Sequence, residues 1–232
     1  MTDLSADARI LWRLLRGQTK DGSHAANLER FYAPQADRYD AFRARLLHGR
    51  KELIEQISLR PGHHVVELGC GTGSSLETIG AVTNQLKQFD MVDLCPALLS
   101  LARKRGKNYR PVNVIEADAT SWKPSAPVDV VFMSYSLTMM PHWQLVLANA
   151  HAMLAPNGIF GIVDFHLPEA ASRLANTFWQ RWFAHDGVHL SGEHLTLLQT
   201  KFSEIELAQC LATVPYLPIL RAPYYRFVGR KD

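Results

Sequence analysis

Cysteine is scarce in this chain. Only Cys70, Cys95 and Cys210 occur in 232 residues, widely spaced and with no Cys-x-x-Cys. That argues against a disulfide framework or a cysteine zinc site and fits a reducing compartment. Long apolar runs are missing as well: no stretch of 18 apolar residues exists, so no membrane-spanning helix is expected. The first residues lack a basic segment followed by an apolar core, so they do not read as a secretory signal. Neither charge sign dominates. Lys+Arg 25 against Asp+Glu 22 leaves a net +3, too mild to demand a nucleic acid, and no nucleic-acid partner is expected. No Gly-x-Ser-x-Gly elbow supports a hydrolase. His185, His189 and His194 come with no carboxylate-rich helix, and no metal is expected. Internal repeats and low-complexity runs are absent.

What remains is an ordinary globular composition, 47% hydrophobic and 20% charged. At roughly 150 residues per domain the length suggests one domain, and a chain this long buries about 70–75% of its unfolded surface without staples. Residues 4–16 pattern as a helix, with Leu4, Ala8, Leu11, Trp12 and Leu15 on one face and Arg9, Arg13 and Arg16 on another. A second helical tract covers roughly 35–58. The expected division is a helical cap over 1–60, part of the same domain, and a main unit over 61–232.

After Pro61-Gly62 the pattern changes to short apolar runs alternating with helical segments. Strands are expected at 64–68, 89–93, 112–116, 128–134 and 159–164, then near 203–209 and 224–229. Helices are expected at 74–79, 96–105, 143–154 and 169–184. That rhythm predicts an α/β fold with a largely parallel sheet and ligand loops at the strand carboxyl ends.

The strongest local signal is the run 65–73, carrying Glu67, Gly69, Gly71 and Gly73 between a strand and a helix. Glycine is needed where the backbone turns sharply and approaches a ligand. Position 74 is Ser, so the Gly-x-Gly-x-x-Gly of dinucleotide enzymes is not met. The loop suits a nucleoside without phosphate. The next strand ends in Asp93, placed to accept from two ribose hydroxyls. The third ends at Asp118-Ala119, where the carboxylate suits an adenine amino group. The fourth ends in Ser134-Tyr135-Ser136, facing a reaction centre.

This ordered set resembles the class I S-adenosylmethionine-dependent methyltransferases over about residues 60–170. The resemblance implies a Rossmann-like, seven-stranded, mostly parallel sheet with an antiparallel last strand and an N-terminal helical cap. It implies S-adenosylmethionine as cofactor. Its ligands would be Glu67, Gly69, Gly71, Gly73, Asp93, Leu94, Asp118, Ala119 and Ser134, with Tyr39 and Arg50 from the cap. The flanks narrow the likeness. The segment 31–43 with Tyr39-Asp40, the following His48-Gly49-Arg50, the runs 134–143 and 161–166, and the tail 223–230 resemble the BtaB family of bacterial betaine-lipid N-methyltransferases. Cys95 stands where many methyltransferases carry Ser, and Leu98-Leu99 replaces the frequent Met-Leu.

The family resemblance implies three methylations of the amine of diacylglyceryl-homoserine, giving diacylglyceryl-trimethylhomoserine. It also implies contact with a membrane lipid at the cytoplasmic face, and the 3-amino-3-carboxypropyl transferase of the same pathway as a partner. Methyl transfer from a sulfonium is an in-line displacement, so the protein mainly aligns the reactants and excludes water. The amine must lose a proton, and Tyr39, Tyr135, Asp164 and His166 are the candidate acceptors or relays. Aromatic faces hold a quaternary ammonium at roughly 0.5–2 kcal/mol each. Tyr32, Tyr39, Tyr135, Tyr224 and Tyr225 are available. Arg43, Arg50, Arg221 and Arg226 are candidates for the substrate carboxylate. The substrate set is thus Tyr32, Arg43, Asp164, Arg221, Tyr224 and Tyr225, and the catalytic set Tyr39, Tyr135 and His166.

An anionic membrane surface would suit helix 4–16, or the stripe Leu174, Phe178, Trp179, Trp182 and Phe183 beside Arg173 and Arg181. Arg103, Lys104, Arg105, Lys107 and Arg110 form a basic cluster of the same use. Two alternatives stay open: a phosphatidylethanolamine or quinone methyltransferase, and a non-catalytic cofactor-binding module at a membrane surface.

Overall fold

The computed structural model describes residues 46–168, 172–184, 188–214 and 217–232. The helix expected at 4–16, most of the cap, Tyr32, Tyr39, Arg43 and His185 lie outside the described residues.

Seven strands form one sheet: β1 His64–Leu68, β2 Gln88–Asp93, β3 Val112–Glu116, β4 Val128–Ser134, β5 Leu154–Phe165, β6 Ser203–Val214 and β7 Leu217–Arg230. Their order is β3-β2-β1-β4-β5-β7-β6. The first five pair in parallel. β7 runs antiparallel between β5 and β6. The expected mostly parallel sheet with an antiparallel last strand is present. β1 is buried at every position, because a central parallel strand is covered on both faces and needs a continuous apolar run. The strand order reverses between β1 and β4, which opens a crevice at their carboxyl ends.

Among the described residues, six α-helices accompany the sheet: α1 Arg50–Gln56, α2 Ser75–Ile79, α3 Pro96–Gly106, α4 Trp143–Met153, α5 Arg173–Ala184 and α6 Glu193–Lys201. One core joins Leu53, Ile57, Leu76, Trp179 and Phe183 to the sheet face of Val65, Phe132 and Phe165. The other joins Val146, Leu147, Ala150 and Leu198 to the face of Val66, Val131, Ile162 and Phe227.

The structure departs from expectation in three places, and strand pairing accounts for the first two. β5 begins at Leu154 instead of 159, since Leu154 pairs with Val128 across a bulge. β6 and β7 run well past 203–209 and 224–229, because each supplies backbone partners to the other. Residues Ser203–Glu206 are exposed, so side-chain alternation does not mark that pairing. Helix α6 was not expected at all. Its buried positions are His194 and Leu198, and a histidine does not read as apolar.

Candidate active site at the strand carboxyl ends

Gly69, Gly71 and Gly73 all take positive φ, at 77, 56 and 75°. At Gly69 a Cβ would collide with the Ser136 side chain, whose hydroxyl donates to the Leu68 carbonyl at 2.9 Å. The glycine therefore lets the loops after β1 and β4 touch. Asp93 then locks the turn. Its Oδ2 accepts from the Gly71 amide at 2.8 Å, and its Oδ1 from the Cys95 amide at 2.9 Å. From the far side Arg105 donates to the Thr72 carbonyl at 2.7 Å and pairs with Glu77 at 3.2 Å. One member of the basic cluster is thus a brace of the glycine loop. Arg103 is exposed, 3.9 Å from Glu116.

Below the loop, Glu67 is buried and accepts from Ser75 Oγ at 2.5 Å. Burial pushes its carboxyl up to about 7, although the Ser75 bond and the Arg50 charge pull the other way. Burial raises the Cys70 thiol also, with Asp93 and Glu67 adding to it. Arg50, the first residue of α1, spans the crevice: Nε donates to Ser134 Oγ at 3.0 Å and Nη2 to Ser74 Oγ at 2.8 Å. Arg50, Leu53, Ile54, Ser75, Thr78, Phe132 and Ser134 line a hollow there. The preceding Gly49, at φ 81°, has no room for a Cβ, which would stand 2.7 Å from Tyr224.

The expected cofactor residues of the described region therefore do converge. Glu67, the three glycines, Asp93, Ser134 and Arg50 gather at the β1/β4 crevice. Leu94 is half-buried beside them in sequence. Asp118 is exposed past β3, where its Oδ1 accepts from the Thr120 amide and hydroxyl at 2.8 and 2.7 Å. Ala119 is buried, and Asn149 donates to its carbonyl at 2.9 Å.

The substrate side needs correction. Tyr135, at φ 54° and buried against Phe165, donates its hydroxyl to the His48 carbonyl at 2.6 Å. Its proton is spent on a strut between the β4 loop and the start of α1. Asp164 has no exposed surface. Its carboxylate accepts from the Thr138 hydroxyl at 2.7 Å, the Thr138 amide at 3.2 Å and the Phe165 amide at 2.8 Å. It is a pin for the β4 loop, not an open substrate ligand. Burial pushes it up to about 6 against those bonds. Tyr224 is buried with its phenol raised to about 12, chiefly by burial. Tyr225 is fully buried, and its hydroxyl has no partner. Arg221 is exposed on the β6–β7 hairpin, opposite Thr213 and beyond the end of β5. His166 is buried at the end of β5, and burial lowers it to about 4. In α5, Trp179 and Phe183 belong to the core, so only Leu174 and Phe178 of the stripe are exposed apolar groups, at 85% and 41%.

Sequence reasoning missed Ser74, Ser75 and Thr138, and weighed His194 only as a metal ligand. Ser74 was noted only as a break in a glycine pattern; its position next to the loop was the usable signal.

Residues 65–158 match the Methyltransf_25 family, described as a methyltransferase domain. Trans-aconitate 2-methyltransferase of Klebsiella pneumoniae is 30% identical over 124 residues, 53% of this chain and 47% of that protein. Demethylmenaquinone methyltransferase of Tropheryma whipplei is 25% identical over 156 residues, 63% of this chain and 62% of that one. The chain thus spans about half to three-fifths of the lengths of these relatives. Among solved structures, the N-methyltransferase NodS of Bradyrhizobium japonicum, in complex with S-adenosyl-L-homocysteine, superposes with a TM-score of 0.66 at 17% identity. It covers 89% of this chain and 99% of NodS, and at that identity the likeness is one of fold. The NodS structure holds S-adenosyl-L-homocysteine, and the residues present in this chain would fit such a group. A turn of three left-handed glycines leaves room for close approach. A carboxylate at the end of β2 is tied to that turn, and a half-buried guanidinium, able to meet a carboxylate, stands on two seryl hydroxyls.

Proposed function

We propose that this protein is an S-adenosylmethionine-dependent N-methyltransferase that converts diacylglyceryl-homoserine to diacylglyceryl-trimethylhomoserine. The observation that carries the methyl-transfer reading is the Asp93 carboxylate bonded to the amides of Gly71 and Cys95. That contact holds the acid and the glycine turn in one rigid unit. The lipid assignment rests on the likeness of 31–50, 134–143, 161–166 and 223–230 to betaine-lipid methyltransferases. It is supported by exposed Leu174 and Phe178 on α5.

When bound, S-adenosylmethionine supplies a methyl group on a sulfonium. The chain's own residues do the rest. Asp93 would be the acceptor for the ribose hydroxyls. Asp118-Ala119 would hold the adenine, and Arg50, bonded to Ser134 and Ser74, would hold the α-carboxylate. Tyr135 holds the β4 loop to His48, so the loop that faces the methyl keeps its shape. The amine's proton leaves toward His166, with Tyr39 as the second acceptor. Among the described residues no helix is long and apolar enough to cross a membrane. The proposed contact is peripheral, on an anionic cytoplasmic face, with the 3-amino-3-carboxypropyl transferase of the pathway as partner.

One observation favours a second reading. The demethylmenaquinone methyltransferase match has the broader coverage of the two relatives named above, which keeps a quinone ring in contention. Labelled S-adenosylmethionine incubated with diacylglyceryl-homoserine, phosphatidylethanolamine and a demethylated quinone, followed by mass spectrometry, decides. Three added methyls on the homoserine lipid alone are expected. Label on the quinone would replace the assignment. Cofactor binding without transfer to any acceptor would leave a non-catalytic module.

A further inference from the structure

His194, on α6, is fully buried, and neither ring nitrogen meets a hydrogen-bond partner. Tyr225, on β7, is equally buried with its hydroxyl unpartnered. His166 stands edge-on to Tyr225, ring centroids 5.7 Å apart, and at 3% exposure is the member nearest solvent. His166 also lies close enough to His194 to act on its protonation, second only to burial. Buried polar atoms are nearly always bonded, so several left open in one place mark a spot where a ligand completes them.

The sign of the field says what kind of ligand. Asp164, the partner of Tyr225 across β5 and β7, is a carboxylate beside them and adds to burial in raising the Tyr225 phenol. Around them stand Trp143 of α4, in edge contact with His194 at 4.5 Å, and Thr138, which bonds Asp164. A neutral imidazole keeps one lone pair on its ring, and a phenol oxygen accepts as well as donates. An alkylammonium brings three N–H donors and a positive charge. A carboxylate would meet the like charge of Asp164.

We propose that His166, His194 and Tyr225 form an amine-recognition subsite on the α4–α6 side of β5, beneath the β4 loop. The proposal deepens the N-methyltransferase reading and, as to the substrate's identity, rests on it. The ammonium donates to the two ring nitrogens and to the Tyr225 oxygen, with Asp164 balancing its charge.

The test separates binding from turnover. In 15N-labelled full-length protein, the ring-nitrogen resonances of His166 and His194 are followed at neutral pH. They are assigned with His166→Gln and His194→Gln, and the protein is titrated with butylamine and, separately, sodium butyrate. Both rings are expected to shift with butylamine and stay still with butyrate. Rings unmoved by butylamine, or moved by butyrate, would overturn the subsite. If a lipid amine is turned over, His194→Phe raises its KM about tenfold while the KM for S-adenosylmethionine stays within about twofold, the loss of one bond to a charged donor. Equal rises in both constants would show a merely structural histidine and overturn the proposal. Absence of turnover on every lipid amine would sink the substrate reading alone, because the titration needs no reaction.

Discussion

Around β1 and β2 the polar groups of the site close on one another. Asp93 takes two loop amides, Glu67 takes Ser75, Arg50 takes Ser134 and Ser74, and Arg105 takes Thr72. Around β5, β7 and α6 the polar groups are as deeply buried, yet His194 and Tyr225 bond nothing. The first region is a mould whose shape is finished by its own chain. The second keeps hydrogen-bonding capacity in reserve. A site for an invariant cofactor gains from rigidity. A site that must grip a particular substrate gains from groups that only the substrate completes.

Breaking the mould gives the largest effect. Gly69→Ala places a Cβ against Ser136 at φ 77°. About 1–2 kcal/mol for the left-handed backbone adds to about 1–3 kcal/mol of overpacking. Urea unfolding should show that loss, together with lost S-adenosylmethionine binding. Undiminished stability would mean that the two loops do not touch.

The reserve side is probed by acid. An unfolded histidine titrates near 6.5, and His194 in the fold near 4, so between these values the unfolded chain holds more protons. Its contribution to stability is therefore lost as pH falls from about 6.5 to 4. His194→Phe removes the loss, and its stability relative to the parent should climb by up to about 3 kcal/mol over that window. A pH-independent difference would show that the ring is hydrated.

Glu67 sharpens the contrast with the opposite sign. Its carboxyl is raised from 4.5 to about 7, so the fold holds the extra proton and stability drains away as pH rises between those values. Glu67→Gln should gain on the parent by up to about 3 kcal/mol across the same range. A gain toward low pH would contradict a buried, desolvated acid.

Asp93→Ala should weaken S-adenosylmethionine binding about 10- to 100-fold by calorimetry, since the ribose acceptor and the anchor of two amides go together. Unchanged affinity would remove Asp93 from the site. The smallest effect belongs to Tyr135→Phe. Loss of one bond to His48 costs about 1 kcal/mol of stability and leaves turnover within a few-fold. A hundredfold fall in turnover would restore the hydroxyl to proton transfer.

The contrast also explains how far the sequence could be read. β1 and β4 were legible to the residue, because buried parallel strands are short apolar runs, and the half-exposed edge strand β3 was legible by Val112, Val114 and Ile115. The glycines, Asp93 and Ser134 were legible because strand–loop order puts them at one edge. Asp164 and Tyr135 read as open ligands, but their neighbours absorb them, since Thr138 and His48 approach from segments 26 and 87 residues away in sequence. Helix α6 and His194 were illegible as a site, because a buried histidine with no partner differs from an exposed one only in three dimensions.

The sequence by itself determined the α/β order of the elements and the left-handed glycine turn, both consequences of local sterics and apolar periodicity. Tertiary structure alone decided which acids stay open and which are consumed, how far β6 and β7 extend, and where unpartnered polar atoms collect. Those outcomes depend on desolvation and on contacts between distant segments, and neither quantity belongs to any single stretch of chain.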